Sequence, residues 1–305
     1  MNNIITNIKS LELETINNLK NSKSTNTLRA YQSDYKDFES FCSKNGFQSM
    51  PTQPKILALY LTDLSAKSKY STLKRRLASI SVLHKIKGHY IDTKHPIILE
   101  NLMGIKRVKG SNQKGKKPLL INDLKKIINV INKGKEKLDR KIRDKALILI
   151  GFSGGFRRSE LVNIENEDVE FVSEGVKIFV KRSKTDQSGE GMTKAIPYFD
   201  KPDFCPVIAL KDWINLLAER QNKIFDISDK SVALIIKKYT SIAGLDSNKY
   251  SGHSLRSGFA TVTAESGAEE RNIMAMTGHK SPEMVRRYIK EANLFKNNAL
   301  NKINI

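Results

Sequence analysis

The chain reads as a mainly α-helical, α+β protein of two domains with one small antiparallel sheet. Apolar residues recur at three-and-four spacing through successive segments of the first hundred residues. The period switches to two only around Val176, Ile178 and Val180, and a basic stretch at 104–118, with glycines and no acid, separates the first helical block from the rest of the chain. A length of 305 residues and a hydrophobic fraction of 39% suit two domains with real cores.

Residues 1–21 form a weak helix and polar lead-in. Residues 22–103 carry four helices. Ser22 to Thr27 offers N-caps for a first helix through Leu28, Tyr31, Tyr35, Phe38 and Cys42, which Gly46 ends. Pro54 opens the second, Ser71 and Thr72 the third, and Pro96 a short fourth running to Met103. Residues 104–118 are the linker, a solvated tether or one that also lies along a phosphate backbone through Lys106, Arg107, Lys109, Lys114, Lys116 and Lys117. The second domain, 119–290, opens with a helix at 121–124 and continues with an apolar, buried central helix at 143–152. A half-buried strand is expected within 169–185, then a turn at 187–191 and a returning strand at 192–197. From Pro206 the chain is helical, broken at Gly244, Gly252, Gly267 and Gly278. Residues 291–305 form a tail with Leu294, Phe295, Leu300 and Ile303 as apolar positions.

Charge narrows the partner. Against 32 acids stand 53 Lys and Arg, a formal net charge of +21. Such an excess attracts polyanions, DNA or RNA first and an anionic membrane surface second. No apolar run is long enough to span a bilayer and no secretory leader is present, so a cytoplasmic, nucleoid-associated protein is expected. Cys42 and Cys205 lie far apart without ligand-spaced neighbours, which argues against structural zinc or a disulfide framework and for two small buried residues.

The chemistry concentrates late in the chain. Arg157 follows a glycine-containing segment, 151–155, that lets backbone approach a ligand closely, and Glu160 one turn on could hold its guanidinium; an ordinary surface pair is the competing reading. Arg158 faces solvent or a phosphate backbone. His253 and Arg256 share one side of a helix near its N-terminus, where anions bind readily, although such a pair is more often structural. Gly278 caps a helix, His279 sits in the corner that follows, and Ser281 and Pro282 start the next helix. That helix carries Arg286, Arg287 and Tyr288, a tyrosine that would ordinarily be core. Lys184 lies at the tip of the strand pair, solvated or reaching into a neighbouring site.

Taken together, Gly-Phe-Arg157-Arg-Ser-Glu-Leu, Lys184, His253-x-x-Arg256, Gly-His279 and Tyr288 resemble the tyrosine recombinases, the phage integrase family. Arg256 and His279 are 23 residues apart, and His279 and Tyr288 nine, as is usual there. The resemblance is specific over roughly 115–300 and weaker in the helical block, which is similar to the family's SAM-like core-binding domain in length and pattern. Phe156 departs from the Leu or Met more usual there and is expected to be buried. The resemblance implies a DNA breaking-rejoining fold clamped around duplex DNA, with no arm-type domain before the helical block. It implies Tyr288 as nucleophile forming a 3′-phosphotyrosine, Arg157 and Arg256 as charge stabilisers and Lys184 as general acid. His253 then accepts or orients a proton, His279 donates to a phosphate oxygen, and no cofactor, metal or ATP takes part. Arg158, Arg286 and Arg287 join the linker cations as DNA contacts. The implied assembly is a homotetramer on two core-type sites, with the tail docking on a neighbouring protomer. A type IB topoisomerase and a catalytically silent DNA-binding protein are the alternatives.

Overall fold

In the computed structural model, residues 8, 10–15, 17–18, 22–111, 115–181, 190–217, 222–292 and 299–303 are described. Two compact units divide between Lys114 and Gly115.

The first unit holds α1 (Thr25–Lys44), α2 (Pro54–Ser65), α3 (Tyr70–Ile86) and α4 (Pro96–Lys109). Ser24 caps α1, its side chain accepting from the Thr27 N–H, and Pro54 and Pro96 occupy first turns, where a missing N–H costs nothing. Phe38, Leu57, Leu61, Leu73, Ile80, Ile98 and Leu102 form its core, with Cys42 buried beside them as a free thiol. At the centre of the α1–α3 seam lies a buried carboxylate, Asp34, which accepts from Arg75 and from Ser79 at 2.7 Å while Arg76 comes within 3.2 Å. The fourth helix is longer than the sequence pattern suggested, because Ile98, Leu102 and Ile105 keep one face on the core and Gly110, at φ 72°, ends the helix. Residues 104–109 are therefore helix, not linker.

The second unit is built on α6 (Leu138–Ser153), buried throughout from Ala146 to Phe152 as expected of a central helix, with α5 (Ile121–Lys133) packed against it. After the short α7 (Arg158–Leu161) come β1 (Val169–Val172), β2 (Gly175–Val180) and β3 (Met192–Pro197), an antiparallel sheet in the order β1-β2-β3. The first expected strand is thus two. A turn at Ser173–Glu174 reverses the chain, and Gly175 pairs with Pro197 so closely that an added Cβ would lie 2.1 Å from the Ile196 carbonyl oxygen. Further helices among the described residues follow: α8 (Pro206–Leu216), α9 (Asp229–Ile242), α10 (His253–Glu265) and α11 (Glu270–Thr277) lead to α12 (Pro282–Ala292). α6 packs on α8 and α10, and α10 on α12. Among the described residues no helix is long and apolar enough to cross a membrane.

Asp34→Ala removes the carboxylate that accepts from Arg75 and Ser79 and pairs with Arg76, and leaves Arg76 half-matched in the seam. The first unit should lose about 3 kcal/mol of stability. Hydrogen exchange on the full chain should show weakened protection across α1–α3 and none in α6; uniform protection would contradict this.

Candidate active site

Three turns of backbone bring the site together. Gly154 and Gly155 end α6, and Gly155 takes φ 55°, a conformation an L side chain rarely adopts. These glycines serve packing within the chain, not approach of a ligand: a Cβ on Gly154 would lie 2.1 Å from the Phe156 ring, and one on Gly155 3.0 Å from Phe259. Phe156 is buried, as expected. The turn delivers Arg157 to the N-cap of α7, where Glu160 acts twice. One carboxylate oxygen accepts the Arg157 backbone N–H at 2.9 Å and the other its guanidinium at 2.5 Å. Glu160 is buried and Arg157 nearly so, which settles the pair as a built interaction and not a surface one.

Arg256, on the first turns of α10, is only 2% exposed. Its guanidinium donates to the Gly155 carbonyl at 2.9 Å and to His279 Nε2 at 3.2 Å. Gly278 ends α11 in the left-handed region at φ 62°, and its carbonyl accepts from Arg157 at 3.4 Å. His279 follows, with Nδ1 2.7 Å from Thr277 Oγ1. A guanidinium has only donors, so Nε2 must accept and the ring proton sits on Nδ1, donated to a threonine that passes its own proton to the Ile273 carbonyl at 2.6 Å. His253 opens α10, exposed at the rim, its N–H on Ser251 Oγ. Tyr288, half-buried on α12, packs beside Ile273 and Val285, and its charge would be felt by Arg256.

Electrostatically the cluster is cationic beyond what Glu160 offsets. Burial and then Arg157 lower Arg256 to about 10. Burial, Arg256 and Arg157 hold His279 down at about 4; at the rim, partial desolvation of the ring and then the same two arginines push His253 below its usual range. One further group belongs to this cluster and was not singled out from the sequence. Lys194 on β3 is fully buried, donates to the Gly154 carbonyl at 2.8 Å and to the Met276 carbonyl, and is lowered to about 7, by burial first. The signal was available, because Met192, Lys194 and Ile196 share the inward face of an alternating strand where lysine is out of place.

The remaining expected site residues that are among the described ones lie outside this cluster. Lys184 and Lys114 fall outside the described residues. Lys106, Arg107 and Lys109 are exposed in the last turn of α4, Lys109 reaching the Ser65 carbonyl. Lys116 donates to the Asn248 carbonyl, and Lys117 pairs with Asp123 at 3.1 Å below the Tyr250 hydroxyl, which donates to the same carboxylate. Arg158 lies over Gly252 and 3.8 Å from Asp229; Arg286 pairs with Glu270 at 3.0 Å, and Arg287 is exposed. Of the tail, Leu294 and Phe295 are outside the described residues, while Leu300 and Ile303 are exposed. Among the described residues no group of three or more His, Cys, Asp or Glu is placed to hold a metal ion.

A helical bundle is thus followed by a helical domain with a three-stranded sheet, in which hydrogen bonds tie Arg157, Arg256 and His279 to the same two turns, with His253 and Tyr288 on the adjoining helices. The comparisons identify the family. Residues 118–294 match the phage integrase family and residues 16–89 the phage integrase N-terminal SAM-like domain. An integrase/recombinase xerD homolog of Selenomonas ruminantium is 41% identical, covering 98% of this chain and 91% of that protein. The tyrosine recombinase XerC of Syntrophus aciditrophicus is 28% identical over 91% of each chain. Among solved structures, XerH recombinase bound to a palindromic difH substrate shares the fold at TM-score 0.69 and 19% identity, over 87% of this chain and 76% of that one. A lambda integrase dimer on a COC′ core site does so at TM-score 0.58 and 17% identity, over 93% and 75%. The chain belongs to the phage integrase family of tyrosine recombinases.

His279 generates a pH prediction. Between pH 6.5 and about 4 the unfolded chain takes up a proton that the native site refuses. The stability that neutral His279 contributes is complete above pH 6.5 and is lost as pH falls toward 4. His279→Gln, which still accepts from Arg256, should flatten the fall of the urea midpoint across that window. An unchanged slope would refute the assignment.

Proposed function

We propose that the protein is a site-specific DNA recombinase that cuts and rejoins duplex DNA through a 3′-phosphotyrosine. The observation that supports this best is the excess of cation around Arg157, Arg256 and His279, a site whose own electrostatics favour an anion. A phosphodiester supplies that anion, and its charge grows in the pentacoordinate transition state, where fixed guanidinium donors act most strongly.

In this reading Tyr288 Oη attacks phosphorus, the bond to the 5′-oxygen breaks, and a 5′-hydroxyl leaves. Arg157 and Arg256 bind the non-bridging oxygens in pairs. His253 takes or orients the tyrosine proton, a role suited to a ring kept neutral by partial desolvation and by its arginine neighbours. His279 Nε2 accepts from Arg256 in this arrangement, so donation to a phosphate oxygen requires either a second proton on the ring or the other tautomer, with Thr277 donating to Nδ1. A bound anion favours the second proton by offsetting the two arginine charges that oppose it. Lys184 is the general acid for the leaving oxygen. The phosphotyrosine conserves the energy of the broken bond, so attack by a partner strand's 5′-hydroxyl completes the exchange without ATP. Two domains grip duplex DNA, with the cations of α4 and of residues 114–117, Arg158, Arg286 and Arg287 contacting phosphates. Four protomers act on two core-type sites, linked by the tail; whether the product is integration, excision or inversion follows from how the sites are arranged.

Tyr288→Phe should abolish the covalent adduct on a nicked suicide duplex and leave affinity nearly intact, because only the nucleophilic oxygen is lost. An adduct formed by the Phe variant would end this reading. Arg157→Ala should slow single-turnover cleavage by about 3 kcal/mol, roughly a hundredfold, with far less loss of binding. Cleavage by Lys184→Ala should be largely restored by a 5′-bridging sulfur, a leaving group that needs no acid. Truncation after Ala292 should preserve one-site gel shifts and impair two-site complexes by sedimentation; normal two-site assembly would restrict the tail to packing on its own domain.

A further inference from the structure

Lys194 occupies a position that the mechanism above does not use. β3 alternates inward and outward, and Lys194 shares the inward face with Ile196, opposite Ile178 of β2. Its four-carbon stem is wholly buried. The ammonium lies 4.8 Å from the centroid of the Phe156 ring and donates to two carbonyls belonging to different parts of the site. One acceptor is Gly154, in the turn that delivers Arg157 and whose next carbonyl, on Gly155, accepts from Arg256. The other is Met276 in the last turn of α11, directly before Thr277 and Gly278, which hold His279 and Arg157. Arg256 spans the same two segments through the Gly155 carbonyl and the His279 ring; Lys194 joins their backbone carbonyls directly.

We propose that Lys194 is a positioning residue for DNA cleavage, a strut that ties the Gly154 turn to the end of α11 and so sets the spacing of Arg157, Arg256 and His279 around the phosphate. The inference rests on the reading of this cluster as a DNA-cleaving centre. An apolar residue would fill the strand's inward face better, and a buried lysine opposed by two arginines is a poor choice for stability alone. What lysine adds is reach and donors: it grips two carbonyls that lie on separate elements and would otherwise face an apolar interior. The groups facing it are Glu160, which favours its charge, and Arg157 and Arg256, which oppose it; Lys194 in turn acts on His279. An anion between the arginines offsets their opposition, so the strut carries its full charge when the phosphate is in place.

Lys194→Met keeps the stem and deletes the donors. Wild type, Lys194→Met and Lys194→Gln are compared on a nicked suicide duplex for single-turnover adduct formation, for affinity by gel shift and for thermal midpoint. The expected result is unchanged affinity, because surface cations supply it, with adduct formation slowed on the order of a hundredfold in the Met variant, as a shift of reacting groups by about 1 Å produces. The Gln variant, which keeps a shorter N–H donor, should fall between. In the folded Met variant the His279 ring should also titrate above its wild-type midpoint by NMR, since one of the charges holding it down is gone. Adduct formation at the wild-type rate by a folded Met variant overturns the inference, as does an equal loss of rate and affinity. If neither variant folds, Lys194 serves the fold alone and the inference fails. No adduct from wild type would instead remove the cleavage reading on which all of this stands.

Discussion

The buried guanidinium of Arg256 is the group on which the rest of the site depends. It spans 101 residues of sequence to the Gly155 carbonyl and 23 to His279, and it lies almost entirely out of water. A charge so placed is costly unless its donors are matched. Here the matching is done by a backbone carbonyl and a neutral ring, not by a direct carboxylate partner. Glu160 is close enough to favour the charge, but its oxygens are already engaged by Arg157. That division of labour keeps the guanidinium in place without cancelling its field, which a direct ion pair would do.

The same economy extends to the surrounding backbone. Helix α6 ends in two glycines because the turn must pass under the Phe156 ring and against Phe259, and only there does the Gly155 carbonyl face Arg256. Helix α11 ends at Gly278 in the left-handed region, which turns its carbonyl toward Arg157 and places His279 above Thr277. Carbonyls at these helix ends carry partial negative charge, the right complement for buried cations. Arg157, Arg256 and Lys194 are each fitted to one or more of them.

Much of this arrangement was readable from the sequence, for identifiable reasons. Residue type and spacing expose the Arg157–Glu160 turn, the His253–Arg256 pair and the Gly278 cap, because each depends on contacts within a helical turn. The central helix was equally plain, since its buried half, from Ala146 to Phe152, has no polar face. Contacts between distant segments were not readable: nothing local marks the Arg256 donor for the Gly155 carbonyl, nor the tautomer that Arg256 imposes on His279. Two misreadings had local causes. The end of α4 was obscured because lysines crowd around a single core contact, Ile105, and the β1–β2 hairpin was taken for one strand because its turn, Ser173–Glu174, is short and its glycine already belongs to β2. Lys194 escaped because lysine is ordinarily an outward residue, although the alternation of β3 contradicts that habit.

The excess of cation also links stability to ligand. Arg256, His279, His253 and Lys194 are all shifted toward their neutral forms, first by loss of water around them and then by repulsion from neighbouring positive charges. This repulsion opposes folding of the protein by itself, and packing across α6, α10 and α12 has to outweigh it. An anion placed between the arginines removes the repulsion and adds charge-assisted hydrogen bonds, so it binds the native state and not the unfolded one. The strain in the free protein and the affinity for a phosphate are then one quantity seen from two sides. Replacing Arg157 or Arg256 with a neutral residue of similar shape would relieve repulsion in the free protein and weaken the local hold on the reacting phosphate, while the surface cations keep most of the overall DNA affinity; a new carboxylate would instead stabilise the site by filling it from within.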